Sequence, residues 1–182
     1  MLNKILVAIN IAETNNNNFV RALSLAKINK AELMLLNIIA PDKNNYPNPF
    51  IYSGYEYSLM DESLVKVYQE QWDKFKQRGL DKLRSLAEEA EAAGVGVEYI
   101  QDFGNPGQTI CDRAKSWSAD LIIIGSRGLT GVKEMFLGSV SNYVTHHAPC
   151  SVLILRSTGD LDAEIVRDES VDDANFTSQA IN

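Results

Sequence analysis

Five short apolar runs recur along the chain: KILVAI around Ile5, ELMLLNII around Leu35, GVEYI around Val97, DLIIIG around Ile123 and SVLIL around Leu153. They are rich in β-branched residues and apolar at consecutive rather than alternate positions. That pattern suits parallel strands covered on both faces. The stretches between them carry apolar residues three and four apart, the spacing of a helix with one buried side. Phe19, Leu23 and Ala26 share such a face. So do Leu64, Tyr68, Trp72, Phe75, Leu83, Leu86 and Ala90, except across Gly79, which sits where the next apolar residue is due. An aromatic stripe at this spacing reads as core packing. A further helix announces its start in GNPGQTICDRA. There Asn105 can cap and Pro106 can take the first helical position, where its missing N–H costs nothing. Ile110, Ala114 and Trp117 then face inward. The last helix is expected from about Ser139 to His147 and stops before Pro149, because a residue preceding proline avoids the helical region.

The order βαβαβαβαβ calls for one α/β domain with a mostly parallel, five-stranded open sheet, right-handed crossovers and helices on both faces. Ligands on such sheets bind beyond the carboxyl ends of the strands, where the strand order reverses. Two segments lie outside the alternation. Residues 41–60 form a polar stretch with prolines and tyrosines, too long for a simple connection and expected to be a mobile loop. Residues 157–182 are acidic and poor in large apolar side chains, the composition of a flexible tail.

Charge sets limits on partners. The chain carries a formal net charge of −7, but the tail contributes seven acids against one base, Arg167, so the body is nearly neutral. The acidity belongs to the tail and not to an active site, and no basic stripe invites nucleic acid. Cys111 and Cys150 stand far apart without a CxxC or metal-ligand pattern, which reads as two free thiols in a reducing cytoplasm. The opening MLNKILVAINIA is short, β-branched and broken by Asn10, a buried first strand rather than a leader. No apolar stretch reaches the length of a membrane span.

The stretch GSRGLTGVKEMFLGSV follows the fourth apolar run and leads into the last helix. Gly125, Gly128 and Gly138 are spaced G-x2-G-x9-G, and Ser139 follows. Gly125 ends a buried strand, so glycine there allows a sharp turn and close approach of the backbone to a ligand. Gly138 and Ser139 fall at a helix start, whose unpaired N–H groups and positive dipole end attract anions. Arg127 and Lys133 add local positive charge. Neither the Walker A pattern nor GxGxxG is present. On the pattern alone, a phosphate cradle and a glycine-rich turn both remain open.

The stretch is similar to the G-x2-G-x9-G-(S/T) signature of the ATP-binding branch of the universal stress protein family. The resemblance extends through KILVAIN, LLNII, GNPGQTICDRAKSWSADLIIIGSRG and HHAPCSVLILR, over roughly residues 1–156 apart from the polar loop. It implies a Rossmann-like sheet with strand order 3-2-1-4-5, adenine-nucleotide binding and a homodimer formed through the last strand, Ser151 to Leu155. By the resemblance, the phosphates meet the backbone around Gly128, Gly138, Ser139 and Val140, with Ser141 also near; Arg127 joins the candidate nucleotide-binding residues through its charge. Gly125 lies beside the ribose, and backbone groups of Ile38 read the adenine. The first strand departs from the family pattern, which ends it with Asp; here the residues are Asn10, Ile11 and Ala12. Asn10 can still bond a ribose hydroxyl or a metal-bound water but carries no charge, so it offers only a weak Mg²⁺ site. The preference for ATP over AMP is left open by that change.

For catalysis, a hydrolase needs a positioned base or a strong metal site. His146 and His147 are the chain's two histidines and sit at the far end of the last helix, about 10 Å from its start. A helix C-terminus suits them on electrostatic grounds alone. The expected role is therefore a nucleotide-binding regulatory module of the stress response. A slow ATP-hydrolysing enzyme and a dimeric interaction protein with an empty site are the alternatives.

Overall fold

The first strand, β1 (Lys4–Ala8), is followed by α1 (Asn17–Asn29), β2 (Glu32–Ile39), α2 (Glu62–Ala92), β3 (Val97–Phe103), α3 (Pro106–Trp117), β4 (Leu121–Gly125), α4 (Ser139–His147) and β5 (Ser151–Leu155). The computed structural model describes residues 2–13, 16–40, 62–126 and 137–156. The expected loop over 41–60, the tail over 157–182, and Arg127, Gly128 and Lys133 lie outside the described residues, as do the side chains of Leu64 and Tyr68. No helix among the described residues is long and apolar enough to cross a membrane.

All five strands are parallel, in the order β3-β2-β1-β4-β5. Their doubly apolar sequences are explained by two separate cores. Ile5, Val7, Leu33, Leu35, Leu121 and Ile123 point to the face covered by α1 and α2, where they meet Phe19, Ala22, Ala26, Leu83, Leu86 and Ala90. Their neighbours Leu6, Met34, Leu36, Ile122 and Ile124 point to the opposite face and meet Ile110, Cys111 and Ala114 of α3 and Val144 of α4. The period of two along each strand thus feeds both layers. Phe19 is fully buried, and its truncation to alanine is expected to cost about 3–5 kcal/mol.

The helix ends follow local chemistry. Asn105 caps α3 by accepting a hydrogen bond from the Gln108 amide at 3.4 Å, with Pro106 as the first helical residue. α4 ends where Ala148 turns extended ahead of Pro149. Gly79 owes its place to β3: a Cβ there would collide with the Gln101 side chain. The helical apolar pattern lapses at that position because a polar side chain from the sheet fills the space.

At the amino end of the sheet, Asp120 closes the structure. Its Oδ2 accepts from the amides of Asn3 at 2.7 Å and Lys4 at 3.0 Å, and its own amide donates to Lys4 O at 2.9 Å. The two amide bonds hold the Asp120 carboxyl below the usual carboxylate range.

Candidate functional site

Chain order carries β1, β2 and β3 outward in one direction, and the connection from β3 to β4 then crosses to the other side of β1. The strand order therefore reverses between β1 and β4, leaving a crevice at their carboxyl ends. Asn10 follows β1 and Gly125 ends β4, so both border that crevice.

The start of α4 stands beside it. Gly138 is the N-cap, with extended backbone and no side-chain cap. Its amide donates to Ser126 O at 2.9 Å, and the first bond of the helix runs from the Asn142 amide to Gly138 O at 2.9 Å. The amides of Ser139, Val140 and Ser141 consequently have no acceptor inside the helix. No acidic residue lies in this first turn, so no side chain of that turn offsets the positive end of the helix dipole. The Ser139 side chain is exposed, whereas Ser141 is only 2% exposed. The Ser141 hydroxyl donates to Gly138 O at 2.9 Å, with Ser126 O at 3.4 Å. That side chain braces the helix start; only its amide is left for a ligand. Ser126 is held in turn by its amide bond to Leu155 O at 2.8 Å, which ties the exit of β4 to β5.

Ile38 lies near the end of β2, and the ladder fixes which way its backbone faces. The Glu32 amide donates to Asn3 O and the Ile9 amide to Leu36 O, so even-numbered residues of β2 face β1. The Leu33 amide donates to Gly96 O and the Gly104 amide to Ile39 O, so odd-numbered residues face β3. Ile38 therefore turns its N–H and C=O toward β1, past the last ladder bond on that side.

The loop after β1 is held from within and from α2. Asn10 Oδ1 accepts from the Ala12 amide at 3.1 Å, and its Nδ2 is 3.5 Å from Glu13 Oε1. Lys82 of α2 donates from Nζ to Glu13 O at 2.5 Å. A metal ion would find a poor fit here. The Asn10 oxygen is neutral and already engaged, and no cluster of three or more His, Cys, Asp or Glu exists among the described residues.

The other reactive side chains stand apart. His147 stacks on Tyr143 at 4.0 Å between ring centroids and bonds through Nδ1 to Tyr143 O at 2.8 Å. With His146, it occupies the last turn of α4, at the opposite end from the free amides. Both cysteines are free, and burial pushes both thiols up, which keeps them protonated and poorly nucleophilic.

Sequence reasoning thus named residues that the fold brings to one end of the sheet: Asn10, Ile38, Gly125, Gly138, Ser139, Val140 and Ser141. Arg127 and Gly128 lie outside the described residues. It missed Asn37, Gln101 and Lys82, which support the β1 loop. One signal was present: Asn37 is the lone polar residue within the run LMLLNII.

Comparison with known proteins agrees with this architecture. A model of the universal stress protein family matches residues 1–156. The universal stress protein Sll1388 of Synechocystis is 35% identical over 153 residues, covering 84% of this chain and 97% of its own. Among solved structures, universal stress protein UspA of Lactobacillus plantarum superimposes with a TM-score of 0.65 at 25% identity, over 85% of this chain and 98% of its own. A universal stress protein family protein of Arabidopsis thaliana, solved with AMP bound, shares the fold with a TM-score of 0.55 at 22% identity, over 87% of this chain and 94% of its own.

Proposed function

Because this chain belongs to the universal stress protein family, we propose that it binds an adenine nucleotide, ATP or AMP, at the carboxyl ends of β1 and β4. In this reading the phosphates meet the amides of Gly128, Gly138, Ser139, Val140 and Ser141, near Arg127. Gly125 and Asn10 flank the ribose, and Ile38 pairs with the adenine edge. The observation that carries the reading is the start of α4. Its first turn has amides without helical acceptors and no carboxylate, and such a turn favours an anion. AMP in the Arabidopsis relative of the same fold adds support.

The protein acts as a regulatory module rather than as a dedicated enzyme. Isothermal titration of the wild-type protein with AMP and ATP tests the binding: saturable heat with either nucleotide is expected. No binding at millimolar nucleotide would remove the reading.

We also propose a homodimer through β5. This strand ends the sheet order, and its sequence SVLIL leaves Val152, Leu153 and Ile154 only partly buried. An apolar edge strand of this kind is an aggregation hazard unless a second chain covers it. Light scattering at micromolar concentration should give twice the chain mass of 20.2 kDa; a folded monomer would contradict the dimer.

A further inference from the structure

Asn37 is 4% exposed, one of two buried polar residues among the described core. It belongs to a chain of side-chain bonds that ends at the β1 loop. Gln101, its direct partner across the β2–β3 pair, donates from Nε2 to Asn37 Oδ1 at 3.1 Å. Asn37 Nδ2 then donates to the carbonyl of Ile9 at 3.0 Å. Gly79 makes room for this arrangement, since a side chain there would displace Gln101.

The consequence lies in the ladder between β1 and β2. The Ile9 amide donates to Leu36 O at 2.8 Å. In an uninterrupted parallel ladder, the next bond would run from the Ile38 amide to Ile9 O. Here the Asn37 carboxamide binds that carbonyl instead, and no backbone bond from Ile38 to Ile9 forms.

We infer that Asn37 is a positioning residue for the base: by binding Ile9 O in place of the Ile38 amide, it keeps the Ile38 N–H and C=O free to pair with a purine edge. The inference rests on the adenine-nucleotide reading above. An N–H donor beside a C=O acceptor matches the N1 acceptor and N6 amino donor of adenine. It mismatches guanine, whose N1–H and O6 present the opposite pattern. Asn37 therefore governs base recognition and leaves the phosphate contacts at α4 untouched.

The test compares the wild-type protein with Asn37→Leu, a change of nearly equal size that removes both hydrogen-bonding groups, and with Gln101→Met, which removes only the outer strut. AMP, GMP and inorganic tripolyphosphate are titrated into each. Asn37→Leu should lose about tenfold in AMP affinity, roughly the effect of one base-reading contact, with tripolyphosphate binding within about twofold of wild type. Gln101→Met should show a smaller loss of the same kind. Amide hydrogen exchange supplies a second readout that needs no variant. In the free wild-type protein Ile38 should exchange faster than Leu36 and slow on adding AMP. In free Asn37→Leu, Ile38 should be slower than in wild type, because its amide takes up Ile9 O. Protection of Ile38 in the free wild-type protein would overturn the inference, and this result stands even if the variants do not fold. Equal AMP affinity in wild type and Asn37→Leu would overturn it alone. A wild type that binds neither AMP nor tripolyphosphate, or only the latter, would instead remove the adenine-nucleotide reading and the inference with it.

Discussion

The two ends of the sheet treat the same problem in opposite ways. Each has backbone amides that the strands and helices leave over. At the amino end the Asp120 carboxylate accepts the amides of Asn3 and Lys4, so the chain supplies its own anion. At the carboxyl end the first turn of α4 has no acid, and its buried Ser141 hydroxyl turns back to Gly138 O. Just past the end of β1, Ile9 O is taken by the Asn37 carboxamide rather than by the Ile38 amide. One end is closed by the protein's own charge, and the other leaves the first amides of α4 without a carboxylate in their turn. The contrast separates stability from binding: changes at the amino end should alter folding alone, and changes at the carboxyl end should alter ligand affinity first.

The sharpest way to break the contrast is to make the open end resemble the closed one. Ser139→Glu sets a carboxylate over the free amides of α4. Folding stability should rise slightly, by about 0.3–1 kcal/mol, from the favourable helix dipole. ATP affinity should fall about a hundredfold, or roughly 2.7 kcal/mol. Calorimetry and thermal melts on one sample check both signs, and unchanged ATP affinity would place the phosphates elsewhere.

A smaller effect is expected at Asn10. Its oxygen is neutral and bonded to the Ala12 amide, so Mg²⁺ should change wild-type ATP affinity by less than about threefold. Asn10→Asp should raise that dependence to about tenfold. Tight and strictly Mg²⁺-dependent binding by the wild type would contradict this account of the β1 loop.

The amino end should respond to pH and not to nucleotide. Folding lowers the Asp120 pKa through its bonds to Asn3 and Lys4. Near pH 4 the unfolded chain then holds more protons at this group than the folded one. The stability due to Asp120 is full above the ordinary carboxylate value of about 4 and fades as pH falls through the lower folded value. Asp120→Ala should therefore melt below wild type at pH 6, with the gap narrowing as the pH is lowered beneath about 4. Its AMP affinity should stay within about twofold of wild type. A variant that lost nucleotide binding would join the two ends that the contrast separates.

Much of the fold was legible because its signals are local. The cap and proline at Asn105 and Pro106 mark the start of α3, and Pro149 marks the end of α4. Consecutive apolar residues in the strands announced a sheet covered on both faces. The glycine spacing pointed to the start of α4. The supports of the site were not legible, because they join residues far apart in the chain. Gln101 meets Asn37 across 64 positions and Lys82 meets Glu13 across 69, so neither contact leaves a short-range pattern. The lapse at Gly79 was visible, but its cause was not, because Gln101 reaches it only after β3 has paired with β2. The orientation of Ile38 depends on the parity of the ladder, which a one-residue change of register would invert.

The most direct test of the contrast is an NMR titration of the ¹⁵N-labelled wild-type protein with AMP, followed amide by amide. The largest shifts should fall at Ile38 and at Gly138, Ser139, Val140 and Ser141, with smaller ones at Asn10 and Gly125, while Asn3, Lys4 and Asp120 stay unmoved. Shifts gathered at the amino end, or saturation with no change at the start of α4, would contradict the claim that the open end of the sheet is the nucleotide site.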